Sequence, residues 1–269
     1  MKFTPLAMAL VALLPFPALA GGYGTTTDPV VIAPVAPKSP ALVFKLRTGV
    51  SASPDYFGSR DTRFGPDFAV NLEFARLPWG QSIGNLDGQP RFGFAPRGSL
   101  RVIRKRTAAD NPELAGLNNV PLSVELGMGL GYTQRNFEAF ADLRYGAIGH
   151  HAFVAELGAD VVLHPSDRLT LRAGPRLLAG DSDYAQTYFG VTPAEASAAL
   201  PAYRAKGGAL TAGVELGASY QINQNWGLDG AVRYDRYVGD AKSSPIVRQG
   251  SSDGVSVRLG VTRRVSLNF

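Results

Sequence analysis

The groups with which this chain could do chemistry are three histidines and a dense set of acids and bases; it has no cysteine. His150 and His151 are adjacent, so on a strand they point to opposite faces and cannot share a metal. His164 falls in a tight turn at the opposite end of the fold expected below. No metal-ligand spacing exists, and a Ser-His-acid set would need a histidine at a rim with a matching serine, which nothing marks. The absence of cysteine removes a disulfide scaffold, a thiolate metal site and a cysteine nucleophile. No catalytic, cofactor-binding or metal residue is therefore assigned, no cofactor is expected, no binding residue can be named, and the chain is expected not to be an enzyme. What remains is charge. The acids are Asp67, Glu73, Glu125, Glu138, Asp142, Glu156, Asp160, Glu215, Asp229 and Asp235, and the bases include Lys45, Arg47, Arg144, Arg172, Arg176, Arg233, Arg258 and Arg264. Inside a narrow cylinder they would pair into a plug or line a pore selecting small polar or anionic solutes.

The elements that must position these groups are strands. In Asp67 to Arg76 the residues Phe68, Val70, Leu72 and Phe74 face one way, and Asp67, Asn71 and Glu73 the other. Leu122 to Tyr132 repeats this, with Leu122, Val124, Leu126, Met128, Leu130 and Tyr132 opposite Ser123, Glu125 and three glycines. Phe153 to Leu163, Leu210 to Tyr220 and Trp226 to Tyr237 follow the same period of two, which a helix would scatter around its axis. A soluble β-sandwich would also alternate, with the charged set facing solvent. Two features favour a membrane barrel. The segments approach the 9–11 residues that a tilted strand needs to cross a bilayer. The aromatics Tyr132, Phe137, Tyr145, Tyr220, Trp226 and Tyr234 sit near strand ends, as interfacial girdles require.

Connections alternate in length. Gln134 to Asn136, His164 to Asp167 and Ile222 to Asn225 are tight, whereas Pro54 to Pro66, Thr107 to Asn119, Asp181 to Gly207 and Gly239 to Asp253 are long. Short periplasmic turns with long external loops is the outer-membrane arrangement, which requires an even strand number. The ten strands expected are Val43–Ser53, Asp67–Arg76, Arg91–Arg106, Pro121–Thr133, Phe137–Gly146, Ala152–Leu163, Arg168–Gly180, Gly208–Gln221, Trp226–Tyr237 and Gly254–Phe269. Leu77 to Pro90 is long enough to hide more strand, so the number is ten or twelve. One helix is expected, over Pro193 to Leu200, because Thr192-Pro193-Ala194-Glu195 forms a capping box with proline at the first helical position. It reads as a loop ornament or as a lid over the barrel mouth.

The chain of 269 residues opens on a secretory signal. Lys2 precedes an uncharged apolar run, and Ala18-Leu19-Ala20 predicts cleavage after Ala20. Residues 21–42, rich in Gly, Thr and Pro, read as an extended periplasmic leader, and 43–269 as an antiparallel transmembrane β-barrel in the outer membrane. No later stretch has the roughly 18 apolar residues of a spanning helix. Hydrophobic residues make up 45% and the formal charge is +5, with both signs interleaved. That predicts contact with outer-membrane lipid and lipopolysaccharide and no nucleic-acid partner.

Several motifs resemble the MltA-interacting protein / outer-membrane protein V (MipA/OmpV) family. They are Asp183-Tyr184, Tyr188-Phe189-Gly190-Val191-Thr192, Leu200-Pro201-Ala202-Tyr203 and Gly207-Gly208. Tyr56-Phe57-Gly58-Ser59, Leu114-Ala115-Gly116-Leu117, Gly149-His150, Tyr234-Asp235-Arg236-Tyr237, Gly239-Asp240-Ala241 and Ser244-Pro245-Ile246 accompany them. The resemblance spans the chain from about Val43. It implies a non-enzymatic outer-membrane barrel, either a scaffold linking a lytic transglycosylase to a peptidoglycan synthase, or a narrow porin-like channel or surface adhesin. The sequence departs from the family at the last strand, where Leu267 takes an aromatic place. Arg263 falls on the apolar side there, which predicts a bulge or a locally thinned membrane.

Overall fold

The computed structural model of the chain describes residues 40–84, 86 and 92–268. The signal peptide, almost all of the 21–42 leader and Phe269 lie outside the described residues. The fold is a single antiparallel sheet. Its strands are β1 (Leu42–Pro54), β2 (Thr62–Arg76), β3 (Ser82–Gly84), β4 (Gly93–Ile103), β5 (Ser123–Thr133), β6 (Phe137–Ile148), β7 (Phe153–Ser166), β8 (Leu169–Gly180), β9 (Gly208–Gln221), β10 (Trp226–Tyr237) and β11 (Asp253–Leu267). Each pairs with its sequence neighbour, except that β3 and β4 do not pair, and β1 pairs with β11. The first and last strands thus meet in the middle of an eleven-stranded sheet, which curls on itself. Its two edges, β2–β3 and β4, face each other. The Arg104 guanidinium spans them, donating to Ser53 Oγ at 2.7 Å and to the carbonyls of Phe64 and Arg63 at 3.3 and 3.4 Å.

Ten long strands occupy the ten segments expected from alternation, and two of them coincide end to end. The eleventh, β3, lies within Leu77 to Pro90, the stretch long enough to hide more strand, and makes the number among the described residues neither ten nor twelve. β2 starts at Thr62 rather than Asp67, and Pro66 sits within it. Proline is tolerated there because its missing N–H faces an edge not paired at that level. Strand ends also shorten the turns. β7 runs on to Ser166, so His164 lies in the strand and only Asp167 and Arg168 form the turn. No bulge occurs in β11, whose register to β1 and β10 is unbroken. Arg263 instead points outward near the end of the strand and lies 5.0 Å from the Trp226 ring centre. A cation over an indole at the rim of an apolar band needs neither a bulge nor a thinned membrane.

The two faces are inverted relative to a soluble sandwich. Phe64, Phe94 and Met128 are 73–77% exposed, and Val70, Leu100, Leu126, Leu143, Leu216, Leu228 and Leu259 are exposed with them. Every strand of more than three residues except β8 contributes an exposed large apolar side chain to this outer face. A monomer in water rarely exposes more than a few hundred Å² of contiguous apolar surface. Exposed aromatics mark two levels, with Phe94, Tyr220 and Trp226, and the half-buried Tyr132 against Phe94, toward one end and Tyr145, Phe153 and Tyr234 toward the other. At roughly 3.3 Å per residue, Trp226 and Tyr234 are about 26 Å apart along β10. A tilt of roughly 40° brings this to about 20 Å, close to the height of a membrane band. Among the described residues, no helix is long and apolar enough to cross a membrane.

Candidate functional site

The charged face points inward and is internally neutralised. Every acid listed from sequence has a basic partner. At one level Arg47 binds Asp67 at 2.7 Å and Asp229 at 2.9 Å. Beside them Arg258, Glu215, Arg176 and Asp160 form a continuous row, with contacts of 2.9, 3.4 and 2.9 Å. Toward the short-turn end Arg264 and Lys45 share Glu73, at 2.6 and 3.3 Å, and Arg172 binds Glu138 at 3.0 Å. Toward the long-loop end Arg144 joins Glu125 and Glu156 at 2.9 and 3.0 Å, and Arg233 joins Glu156 and Asp235 at 2.5 and 2.7 Å. Sequence reasoning named all of these but missed Arg97 and Arg101. Arg97 binds Asp142 at 3.0 Å and lies 4.2 Å from the centre of the inward Phe140 ring. Carrying the alternation back from Leu100 and Val102 would have placed both arginines inside.

Above this interior the long loops form a lid. Its centre is helix α1 (Ser182–Phe189). Asp181 caps it, accepting from the Tyr184 N–H at 2.8 Å with one carboxylate oxygen and from the Phe153 N–H of β7 at 2.7 Å with the other. Tyr184, Ala185, Tyr188 and Phe189 form one buried face of the helix. They pack on Phe57 of the first loop and Tyr237 at the end of β10. The orphan carbonyls at the helix end are satisfied from other loops. Arg106 donates to Tyr188 O at 2.9 Å, and Ser244 Oγ donates to Phe189 O at 2.7 Å. Ser244 also caps α3 (Pro245–Gln249), which follows the short α2 (Gly239–Ser243). Tyr56, Leu114, Leu117, Val191, Leu200 and Ile246 bury a second cluster. Burial raises the pKa of Tyr184, and it pushes Tyr188 up to about 12 against the lowering effect of its hydrogen bond to Ser123.

The helix expected over Pro193–Leu200 does not form. The capping contacts do: Glu195 accepts from the Thr192 N–H at 2.9 Å and from its hydroxyl at 2.6 Å. Glu195 is also held by the Asn118 N–H at 2.7 Å, and these bonds outweigh partial burial and lower its pKa. The chain then has to return, because Val191 and Tyr203 pair as a β-bridge. Eight helical residues would carry it about 12 Å away, so the segment stays a turn. The helix lies earlier, where Asp181 as N-cap and Gly190 as stop were available signals. We expect Asp181→Ala to cost the lid about 1–2 kcal/mol. Limited trypsinolysis of the folded protein checks this: cleavage at the exposed Arg204 and Lys206 should accelerate. Unchanged rates would show that Asp181 does not hold the lid.

His150 sits beneath α1, fully buried, whereas His151 is exposed. Its Nδ1 accepts from the Ala152 N–H at 3.1 Å and its Nε2 lies 3.3 Å from Glu125 Oε1. Only Nδ1 makes a hydrogen bond; Nε2 and Glu125 Oε1 are near each other but unpaired, and the ring has no exposed surface from which to serve a nucleophile. Gly146 lies flat against this ring, where any Cβ would overlap it. Among the described residues no group of His, Asp and Glu could hold a metal ion.

The profile of the family described as MltA-interacting protein MipA matches residues 47–265. The chain belongs to that family. The motifs quoted above for the resemblance converge on the lid: Tyr184, Tyr188, Phe189, Val191, Leu200, Tyr56, Tyr237 and Ile246 are all buried there. No curated protein matches this MipA-family chain. Solved structures similar to it include the NanC porin, 10% identical with a TM-score of 0.35 over 84% of this chain and 100% of the porin. A Pseudomonas aeruginosa FadL homologue is 13% identical with a TM-score of 0.34, over 85% and 65% of the two chains. The Ralstonia pickettii toluene transporter TbuX is 9% identical with a TM-score of 0.32, over 85% and 90%.

Proposed function

We propose that the protein is a non-enzymatic outer-membrane β-barrel, sealed at its outer end, that serves as a structural scaffold of the cell envelope. The observation that carries this reading is the combination of an apolar exterior with an interior closed by paired charge and an aromatic lid. An apolar band of this height is stable only against lipid. An exported chain with this apolar outer face, released by cleavage after Ala20, would reach the outer membrane and contact lipopolysaccharide there. The short turns then face the periplasm, the lid faces outward, and the ten long strands, an even number to which β3 adds only three residues at one edge, would form the cylinder. The family's description points to a lytic transglycosylase as partner. With the lid outside, such an enzyme, and a peptidoglycan synthase beside it, would meet only the leader and the short turns.

The expected result is a barrel that migrates differently on a gel before and after boiling and shows no conductance steps in planar bilayers at about pH 7.5. It should also retain a murein hydrolase in pull-downs from membranes, and lose it when residues 21–42 are deleted. Conductance steps at neutral pH would replace the scaffold by a narrow porin, a reading favoured by the partial exposure of Lys45, Arg172 and Arg258 inside the cylinder.

A further inference from the structure

Two clefts open in the lid beside α1. One, of about 400 Å³, is lined by Arg106, Asn118, Asn119 and Thr187. The other, of about 520 Å³, is lined by Pro193, Tyr203 and Arg204. Asp183, Gln186 and Thr192 border both, so the two adjoin. Both volumes lie in the range of sites for small ligands. The sealed-barrel reading uses neither cleft, because the packing that holds the lid lies on the buried face of α1.

Arg106 sets the chemistry of the first cleft. It is 6% exposed, and among the described residues it donates one side-chain hydrogen bond, to Tyr188 O, and has no ion-pair partner. Glu195, the carboxylate acting on it most strongly, already accepts from the Asn118 N–H and from the N–H and hydroxyl of Thr192. The remaining guanidinium N–H groups face the cleft, and a cation so far out of water calls for acceptor oxygens. Gln186 spends its Oε1 on the Ala205 N–H at 3.1 Å and keeps its amide hydrogens free. Asp183 is exposed, and its carboxylate accepts no hydrogen bond among the described residues. Donors and acceptors therefore stand side by side, with one cation against two carboxylates. That balance disfavours an anion, whereas a hydroxyl can both accept from Arg106 and donate to Asp183. In the second cleft Tyr203 offers a ring face. Its hydroxyl donates to Asp240 O at 2.9 Å, which fixes the ring in the same wall as Pro193.

We propose that the two clefts are adjoining subsites for neutral sugar units of a glycan at the cell surface. Arg106 and Asp183 bind ring hydroxyls by charge-assisted hydrogen bonds, and the Tyr203 ring packs against the apolar C–H face of the next sugar. Hydroxyls along an edge and C–H groups on a face are the combination that a polar cleft joined to an aromatic one selects. The proposal rests on the reading above in one respect, that the lid faces outward.

Isothermal titration of sugars into the folded protein, held in a zwitterionic detergent without sugar head groups, tests the site. Maltose and lactose should bind, each about tenfold or more tighter than glucose or galactose, because a disaccharide fills both clefts. Glucuronate should bind more weakly than glucose. Asp183→Ala, at an exposed position, and Arg106→Lys, which keeps the charge but not the fork, should each weaken binding by about tenfold or more. If Arg106→Lys does not give the unboiled gel band, Asp183→Ala decides alone. No binding of any sugar, unchanged binding in the variants, or a preference for glucuronate would overturn the site and leave the barrel standing. A disaccharide no tighter than its monosaccharide would overturn the pairing of the subsites. Retention on polysaccharide from the cell's own lipopolysaccharide, or on glycoprotein glycans, names the source, and retention on neither counts against a glycan. The chain has no cysteine, so Asp183→Cys is a single reporter of the lid. A membrane-impermeant maleimide should label it on intact cells; no labelling would overturn the outward lid, and the glycan with it.

Discussion

Replacing Met128 by arginine is expected to destabilise the folded protein in lipid vesicles by about 2–4 kcal/mol. Met128 is 76% exposed and lies midway along β5, flanked on the outer face by Leu126 and Leu130. On a water-soluble protein an exposed methionine tolerates arginine within about 0.5 kcal/mol. In a barrel wall the same guanidinium enters hydrocarbon at the level farthest from either interface. Urea unfolding of Met128→Arg in vesicles, with Met128→Leu beside it, separates these outcomes by magnitude. A neutral arginine variant would remove the membrane from the reading of this surface.

The same alternation explains how much of the fold was legible in the sequence. A period of two is a local property, written into each strand. Gly208–Gln221 and Trp226–Tyr237 could therefore be bounded to the residue, and each interior acid assigned to its face. The lid was legible only in part, because its conformation is imposed by contacts between distant loops. Thr192 and Glu195 make the capping contacts their types predict, yet the Val191–Tyr203 bridge forbids the helix. Arg263 looked like a defect of pattern because its compensation, the Trp226 ring, belongs to the neighbouring strand. The approach of His150 to Glu125 could not be read at all, since nothing local ties a tight β6–β7 connection to the start of β5.

Arg144→Met is expected to cost about 3–5 kcal/mol, because it leaves Glu125, which has no exposed surface, without its closest cation. Arg101 at 4.0 Å is too distant to compensate fully. The double variant Glu125→Leu, Arg144→Met removes both charges and should recover most of the loss, since a buried ion pair returns little beyond its own desolvation. Urea midpoints of the two variants in the same vesicles decide the matter. If the double variant is no more stable than the single one, the arginine matters through packing rather than through charge.

The ion pairs inside the cylinder have a consequence for how it is made. Arg47 of β1 reaches Asp229, 182 residues away, and Arg264 of β11 reaches Glu73 across 191 residues. While the chain is only partly threaded, Arg47 has Asp67 and Glu73 has Lys45, but Asp229 and Arg264 lack their partners, and a half-assembled sheet would present that charge bare to lipid. Docking of the last strand on the first is therefore the point of commitment in assembly. An incomplete copy remains an intermediate the membrane rejects, so a barrel wall and its quality control are encoded by one set of residues.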